Sequence, residues 1–223
     1  MEKGVLETVR KSVVEAGLVL VRSGMINGTY GNISCRLSKT CIAITPSGRD
    51  YEQLTPADIM VTDLDGNTIA GSLHPSSELP LHLEIYKCFP EAMAVVHTHS
   101  IYASALAVAH RDLPPVIEDL TQIVGGVVRC TDYTIAGTKK LGLKAVKAME
   151  GGRSAALLAN HGAVCWGRDL KEALSTAKIL EKAAQIYCIA ESLGSVFPLD
   201  RKTVDTLHGF YLNHYSKRQR GEE

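Results

Sequence analysis

An α/β domain, with a mixed sheet covered by helices on both faces, is the architecture this 223-residue sequence predicts. Three observations carry that expectation. Segments with helical apolar spacing interleave with apolar runs of strand length, hairpin signals stand among the strands, and no internal repeat or low-complexity tract interrupts them. The length and ordinary apolar content suit one core, and no linker is visible, so a single domain over residues 1–223 is expected.

The elements follow in order. Leu6, Val9, Val13, Ala16 and Leu20 recur at intervals of three and four, placing them on one face of a helix that stops near Gly24. Gly28-Thr29-Tyr30-Gly31 is loop chemistry, after which Ile33, Cys35 and Leu37 alternate with Asn32, Ser34 and Arg36 as a half-buried strand does. A second strand runs through Ile42 and Ile44 to the turn at Pro46-Ser47-Gly48. Thr55-Pro56-Ala57-Asp58 reads as a cap with proline at the first helical position, and Asp65-Gly66 as a hairpin between two short strands. Ser76-Ser77-Glu78 precedes a helix carrying Leu79, Leu83 and Tyr86, with Pro80 tolerated in its first turn. Ala94 to His97 reads as a buried strand, Ile101 to Ala109 as an apolar helix, and Thr138 to Met149 as a helix ended by Gly151-Gly152. Two strand-like runs, Ala155 to Leu158 and Ala163 to Trp166, flank Asn160-His161-Gly162. Asp169 and Glu172 then supply a capping-box pattern for a long helix to Gly194.

Composition narrows the function. Lysine plus arginine equals aspartate plus glutamate, 24 each, so nothing in the net charge draws the chain to nucleic acid or an anionic membrane. A small ligand is expected instead. The most apolar early stretch, Val13 to Val21, is interrupted by Glu15, is shorter than a membrane span and lacks a signal-peptide cleavage pattern. The six cysteines form no C-x-x-C pair, which argues against a disulfide framework or a cysteine zinc site. A cytoplasmic location is expected from these features.

His97 and His99 stand two apart at the end of a strand, so both imidazoles project from the same face and suit one metal ion. Zinc takes neutral imidazole nitrogens, and a catalytic site needs three protein ligands with one position open. His161, in a turn between two apolar strands and next to a glycine, is the natural third ligand. A lone strand histidine is usually a hydrogen-bonded core or edge residue, and His74, His82, His110, His208 and His214, which lack such pairing, are read as loop, helix or surface residues. Glu78 at a helix start is either a carboxylate stabilised by the helix dipole or a general base beside the metal. Ser76 with Ser77, the loop from Gly28 to Asn32 and the turn from Thr45 to Gly48 form three neutral clusters of hydroxyls and backbone N–H groups, the chemistry that cradles a phosphate without lysine.

Gly28-Thr29-Tyr30-Gly31-Asn32-Ile33-Ser34, Thr45-Pro46-Ser47-Gly48, Pro75-Ser76-Ser77-Glu78, His97-Thr98-His99 and Asn160-His161-Gly162 occur together in the order and spacing of the class II aldolase/adducin family. The chain resembles that family from about Val5 to Gly194, most closely its L-fuculose-1-phosphate aldolase branch.

The resemblance implies a three-layer α/β/α fold with a mainly antiparallel sheet and one Zn²⁺ per subunit on His97, His99 and His161. It further implies Glu78 as the acid/base, and a substrate phosphate held by Thr29, Asn32, Ser47, Gly48, Ser76 and Ser77. The implied reaction is reversible cleavage of a ketose 1-phosphate to dihydroxyacetone phosphate and a short aldehyde. By the same likeness a homotetramer with interfacial sites is expected, in which Tyr215 matches a family tyrosine that reaches a neighbouring subunit's site, Tyr211 lying close enough to compete for that match. Where the aldolases carry another tyrosine near the aldehyde oxygen, this chain offers Glu118 and Asp119. Family 4-epimerases usually place aspartate at the position of Glu78. The methylthioribulose-phosphate dehydratases and 3-oxo-acid phosphate decarboxylases share the glutamate, and adducin-like interaction modules would be expected to lack the histidines.

Overall fold

A computed structural model describes residues 3–222, so Met1, Glu2 and Glu223 of the expected span lie outside the described residues. Helix α1 (Lys3–Arg22) leads into β1 (Asn32–Arg36), β2 (Cys41–Ile44), β3 (Met60–Asp63) and β4 (Thr68–Ala70). Then come α2 (Leu79–Cys88), β5 (Ala94–Thr98), α3 (Ile101–Val108), α4 (Glu118–Val124), α5 (Lys139–Ala148), β6 (Ala155–Leu158) and β7 (Gly162–Gly167). The chain closes with α6 (Leu170–Leu193), α7 (Arg201–Phe210) and α8 (Ser216–Arg220), the last two joined by a π-helical stretch, Tyr211–Tyr215.

The seven strands form one sheet in the order β4-β3-β2-β1-β5-β7-β6, and every pairing between them is antiparallel. A parallel neighbour needs a crossover that carries the chain back to its starting end. Here β1 to β4 follow one another as a meander and β6–β7 is a hairpin. The parallel part of the expected mixed sheet is an isolated bridge between Cys130 and Leu157 on edge strand β6.

Alternation along the strands sorts the core into two layers. Ile33, Cys35, Ala43, Ala94, Val96, Leu157 and Cys165 pack beneath α1, α3, α4 and α6. Ile42, Ile44, Met60, Val95, Ala156, Leu158, Val164 and Trp166 pack beneath α2 and α5. Fully burying an isoleucine such as Ile33, Ile42 or Ile44, each at 0% exposure, contributes about 1.5–3 kcal/mol.

Three local expectations are corrected, and three helices were not foreseen. Strand β1 is not half-buried: Asn32 and Ser34 are buried along with Ile33, because β2 and β5 flank the strand and α2 covers the face these polar residues occupy. Thr55 does cap, but what it caps is one 3-10 turn, Pro56–Asp58, since Asp58 folds back onto the Thr55 N–H and hydroxyl before a second turn can form. The α6 capping box is only half made. Asp169 accepts from the Glu172 N–H, but the Glu172 carboxylate turns to the Arg168 N–H and guanidinium. Helices α4, α7 and α8 were not legible, α4 and α8 being short and α7 and α8 largely polar.

Candidate active site

All the loops expected to matter meet at one end of the sheet, for reasons of register. Asn32 pairs with His97, so the start of β1 and its preceding glycine loop lie beside the end of β5. Thr98 pairs with Ala163, which brings the β6–β7 turn, and with it His161, alongside His99. The Ser76 N–H donates to the Thr45 carbonyl and the Ser47 N–H to that of His74, zipping the two hydroxyl-rich segments together. Gly162 lets the strands close here: a Cβ at that position would lie 2.3 Å from the Thr98 carbonyl oxygen and 3.2 Å from the His99 ring. Asn160 turns the chain with φ of 55°, a conformation asparagine tolerates better than most residues.

The three imidazoles form a near-equilateral triangle, with ring centroids 4.7 to 4.8 Å apart. Glu78 Oε2 lies 2.8 Å from His97 Nε2, and Glu78 Oε1 lies 3.4 Å from His161 Nε2. One donor atom from each of Glu78, His97, His99 and His161 falls within 4.8 Å of the others. The His97 Nδ1–H donates to the Ala163 carbonyl at 2.9 Å, which aims Nε2 at the cluster. That nitrogen is 2.9 Å from His99 Nε2. Glu78 Oε1 and His161 Nδ1 are buried without hydrogen-bond partners. Donor atoms converging in this way, with Glu78 Oε1 buried and unpartnered among them, are the set a divalent cation satisfies, and three imidazoles with a carboxylate suit zinc. Glu78 occupies the N-cap of α2, yet its side chain makes no capping bond. The carboxylate is turned to the histidines.

Electrostatics agree with that arrangement. Burial, reinforced by the neighbouring His97, pushes the His99 imidazole down to about 3 and that of His161 down to about 4, so both stay neutral, the form that ligates metal. Burial alone would raise Glu78, but the His97 imidazole and the Asn32 amide outweigh it and hold the carboxyl well below the usual carboxylate range.

A cavity of about 450 Å³ opens over the cluster, lined by Thr29 to Asn32, Pro46 to Gly48, Ser76 to Glu78, His99, Ala136 and His161. No lysine or arginine is among the lining residues, so an anion there would be held by hydroxyl and N–H donors. All six residues expected around a phosphate line it. Two of them already have partners: Ser76 Oγ accepts from the Glu78 N–H, and the Asn32 amide donates to Glu78 Oε2 at 3.1 Å. Each keeps a further proton to donate.

The remaining expected residues lie elsewhere. Tyr211 is buried and donates its hydroxyl to Glu172 Oε1, which commits it to the base of α6. Tyr215 is 45% exposed and lies outside the cavity lining. Glu118 and Asp119 form the first turn of α4, where Asp119 pairs with Lys182 at 2.6 Å. Neither lines the cavity.

The residue that sequence reasoning missed is His82, read as a helix or surface histidine and found fully buried. The signal was present in Glu78, His82 and Tyr86, four apart and so on one helix face. Burial pushes its imidazole down to about 3. In the unfolded chain it takes a proton near the ordinary imidazole value of 6.5, whereas the folded metal-free protein does not, so acid favours unfolding. Between pH 7 and pH 5 the metal-free protein is expected to lose about 2 kcal/mol through this group alone. Urea denaturation at the two pH values measures it, and His82→Gln should remove that part of the pH dependence.

Comparison with known proteins places the constellation. Residues 11–188 match the family model described as the Class II Aldolase and Adducin N-terminal domain. A 5-deoxy-D-ribulose 1-phosphate aldolase from Bacillus thuringiensis serovar kurstaki is 40% identical over 190 residues, covering 85% of this chain and 88% of that protein. The L-fuculose phosphate aldolase of Escherichia coli K12 is 32% identical over 189 residues, covering 85% and 86%. A solved L-fuculose 1-phosphate aldolase superimposes with a TM-score of 0.88 at 35% identity, covering 92% of this chain and 96% of that one.

Proposed function

Since the chain belongs to the class II aldolase and adducin family, and is a lyase of the sugar-phosphate aldolase type, we propose that it cleaves a ketose 1-phosphate reversibly to dihydroxyacetone phosphate and a short aldehyde. One observation carries this reading: a buried carboxylate, Glu78, stands 2.8 Å from His97 Nε2 in a three-histidine cluster that opens on a neutral cavity.

His97, His99 and His161 would hold the cation, zinc by donor chemistry, one per subunit. When bound, it supplies the electrophile that stabilises negative charge developing on the substrate's carbonyl oxygen as the carbon–carbon bond breaks, worth several kcal/mol. Thr29, Asn32, Ser47, Gly48, Ser76 and Ser77 would cradle the phosphate and so position the carbonyl end. Breaking the bond leaves an electron pair on the dihydroxyacetone phosphate carbon, and Glu78 delivers a proton to it. In the synthetic direction the ionised carboxylate takes that proton from the hydroxymethyl carbon. The departing carbon becomes the aldehyde as its hydroxyl gives up a proton to water in the cavity, which balances the proton that the Glu78 carboxylate takes up from solvent and passes to the other fragment.

A five-carbon 5-deoxyketose 1-phosphate would leave a two-carbon aldehyde once the three-carbon fragment is removed, and the 40% identical relative makes this substrate class the first to try. Tyr215, exposed and away from its own cavity, would complete the site of a neighbouring copy in a homotetramer. The working compartment would be the cytoplasm; no helix among the described residues is long and apolar enough to cross a membrane.

The test is deuterium exchange at the hydroxymethylene carbon of dihydroxyacetone phosphate, followed by NMR in deuterated water, with the zinc-loaded and chelator-treated protein compared. Exchange is expected with zinc and lost without it, and no aldehyde is required. Zinc bound without exchange would redirect the assignment to an epimerase, dehydratase or decarboxylase of the family. A protein that binds no metal would be an interaction module.

A further inference from the structure

A chain of buried polar groups runs inward from Glu78, and its members beyond Asn32 have no place in the reaction as derived. On α2, Glu78, His82 and Tyr86 are four residues apart and share a face; on β1, Asn32 and Ser34 are two apart and share the face that meets it. The two sets interdigitate. Asn32 Nδ2 is 3.1 Å from Glu78 Oε2, and His82 Nε2 is 2.5 Å from Asn32 Oδ1. Beyond the imidazole, Ser34 Oγ is 2.6 Å from His82 Nδ1 and 2.9 Å from the Tyr86 hydroxyl. No member is more than 6% exposed.

The direction of the chain follows from its end. An ionised carboxylate only accepts, so Asn32 must present its NH₂ to Glu78 and its carbonyl to His82. His82 must then carry its proton on Nε2 and accept at Nδ1 from the Ser34 hydroxyl. Ser34, having spent its one proton, accepts from Tyr86, whose phenol burial holds well above its ordinary value and therefore protonated. Every donor and acceptor along the line is matched in one sense only. A buried polar network is costly unless fully satisfied, and apolar side chains would fasten α2 to the sheet at least as well. What this network does that apolar packing cannot is fix one oxygen of Glu78.

We propose that His82 is a positioning residue for Glu78: held as the Nε2–H tautomer by Ser34, it orients the Asn32 amide, which locks the carboxylate in the attitude proton transfer requires. The inference rests on the reading of Glu78 as the proton-transfer group.

Two substitutions separate positioning from mere packing. In His82→Gln the side-chain amide reaches the place of Nε2 and can still donate to Asn32; in His82→Asn it reaches only the place of Nδ1. For dihydroxyacetone phosphate exchange, turnover in His82→Asn is expected to fall about 10–100-fold, the usual effect of losing an outer partner of a site. KM and zinc content should hold, and His82→Gln should recover most of the turnover. Should His82→Asn fail to fold, Ser34→Ala reads the same line, with a smaller loss expected. Long-range ¹H–¹⁵N NMR of the metal-free protein should show His82 neutral and protonated at Nε2.

Equal losses in His82→Gln and His82→Asn, a loss confined to KM or matched by loss of zinc, unchanged turnover in both, or a proton on Nδ1 would each overturn the proposal. A wild-type enzyme that binds zinc yet exchanges no deuterium would instead overturn the functional reading, and the tautomer would still judge the hydrogen-bond line.

Discussion

His97→Ala is expected to purify without bound zinc and to show no exchange or cleavage above background. His97 is wholly buried, its Nδ1–H is pinned by the Ala163 carbonyl, and its Nε2 sits within 2.9 Å of both Glu78 Oε2 and His99 Nε2. It thus touches two other members of the cluster at once. Removing an outer-shell partner of a metal ligand already costs about 10–100-fold in affinity, and removing a ligand should exceed that. The variant also leaves the Ala163 carbonyl without its donor and opens a void, a destabilisation of about 2–4 kcal/mol in the metal-free protein. Metal analysis and circular dichroism together make the check. A folded variant that retains stoichiometric zinc and full turnover would show the metal to be bound elsewhere.

Glu78→Gln tests a different link, because it preserves volume and the three imidazoles while removing the carboxylate's charge and its proton-transfer function. Zinc is expected to remain, since three imidazoles are untouched, and KM for dihydroxyacetone phosphate should change little. Turnover should fall about 10²–10⁴-fold, the usual worth of a positioned general acid/base, or about 3–5 kcal/mol of barrier. The glutamine carbonyl can still accept from the Asn32 amide, so the hydrogen-bond line to His82 stays largely intact and the loss reports on the proton. Exchange and cleavage should fall in parallel. Full turnover in a zinc-loaded Glu78→Gln protein would remove Glu78 from the mechanism.

The candidate ligands were legible because local periodicity places them. Two residues apart on a strand means one face, whatever the strand packs against, so His97 and His99 converge before any tertiary contact is known. Asn160-His161-Gly162 between apolar runs marks a hairpin, and a turn residue is exposed to whatever lies at that end of the sheet. His82 escaped because a histidine on an amphipathic helix looks the same whether its face meets water or a strand. The deciding residues, Asn32 and Ser34, lie 50 and 48 positions away. For the same reason β1 read as half-buried: alternation of polar and apolar residues marks two faces and leaves open what covers the polar one.

Tyr211 and Tyr215 make the contrast sharpest. Both are aromatic, four residues apart, on a polar C-terminal segment, and nothing local ranks them. Only the docking of that segment on α6, where Glu172 accepts the Tyr211 hydroxyl, commits one and leaves the other at the surface. By itself, then, the sequence determined the strands, most of the helices and the donor chemistry of the cluster, since each is written in spacings of two, three or four residues. Strand order, the wholly antiparallel pairing of the named strands, the burial of His82 and the fate of the two tyrosines were decided by the tertiary structure. Those depend on contacts between segments tens of residues apart, whose energies no local pattern encodes.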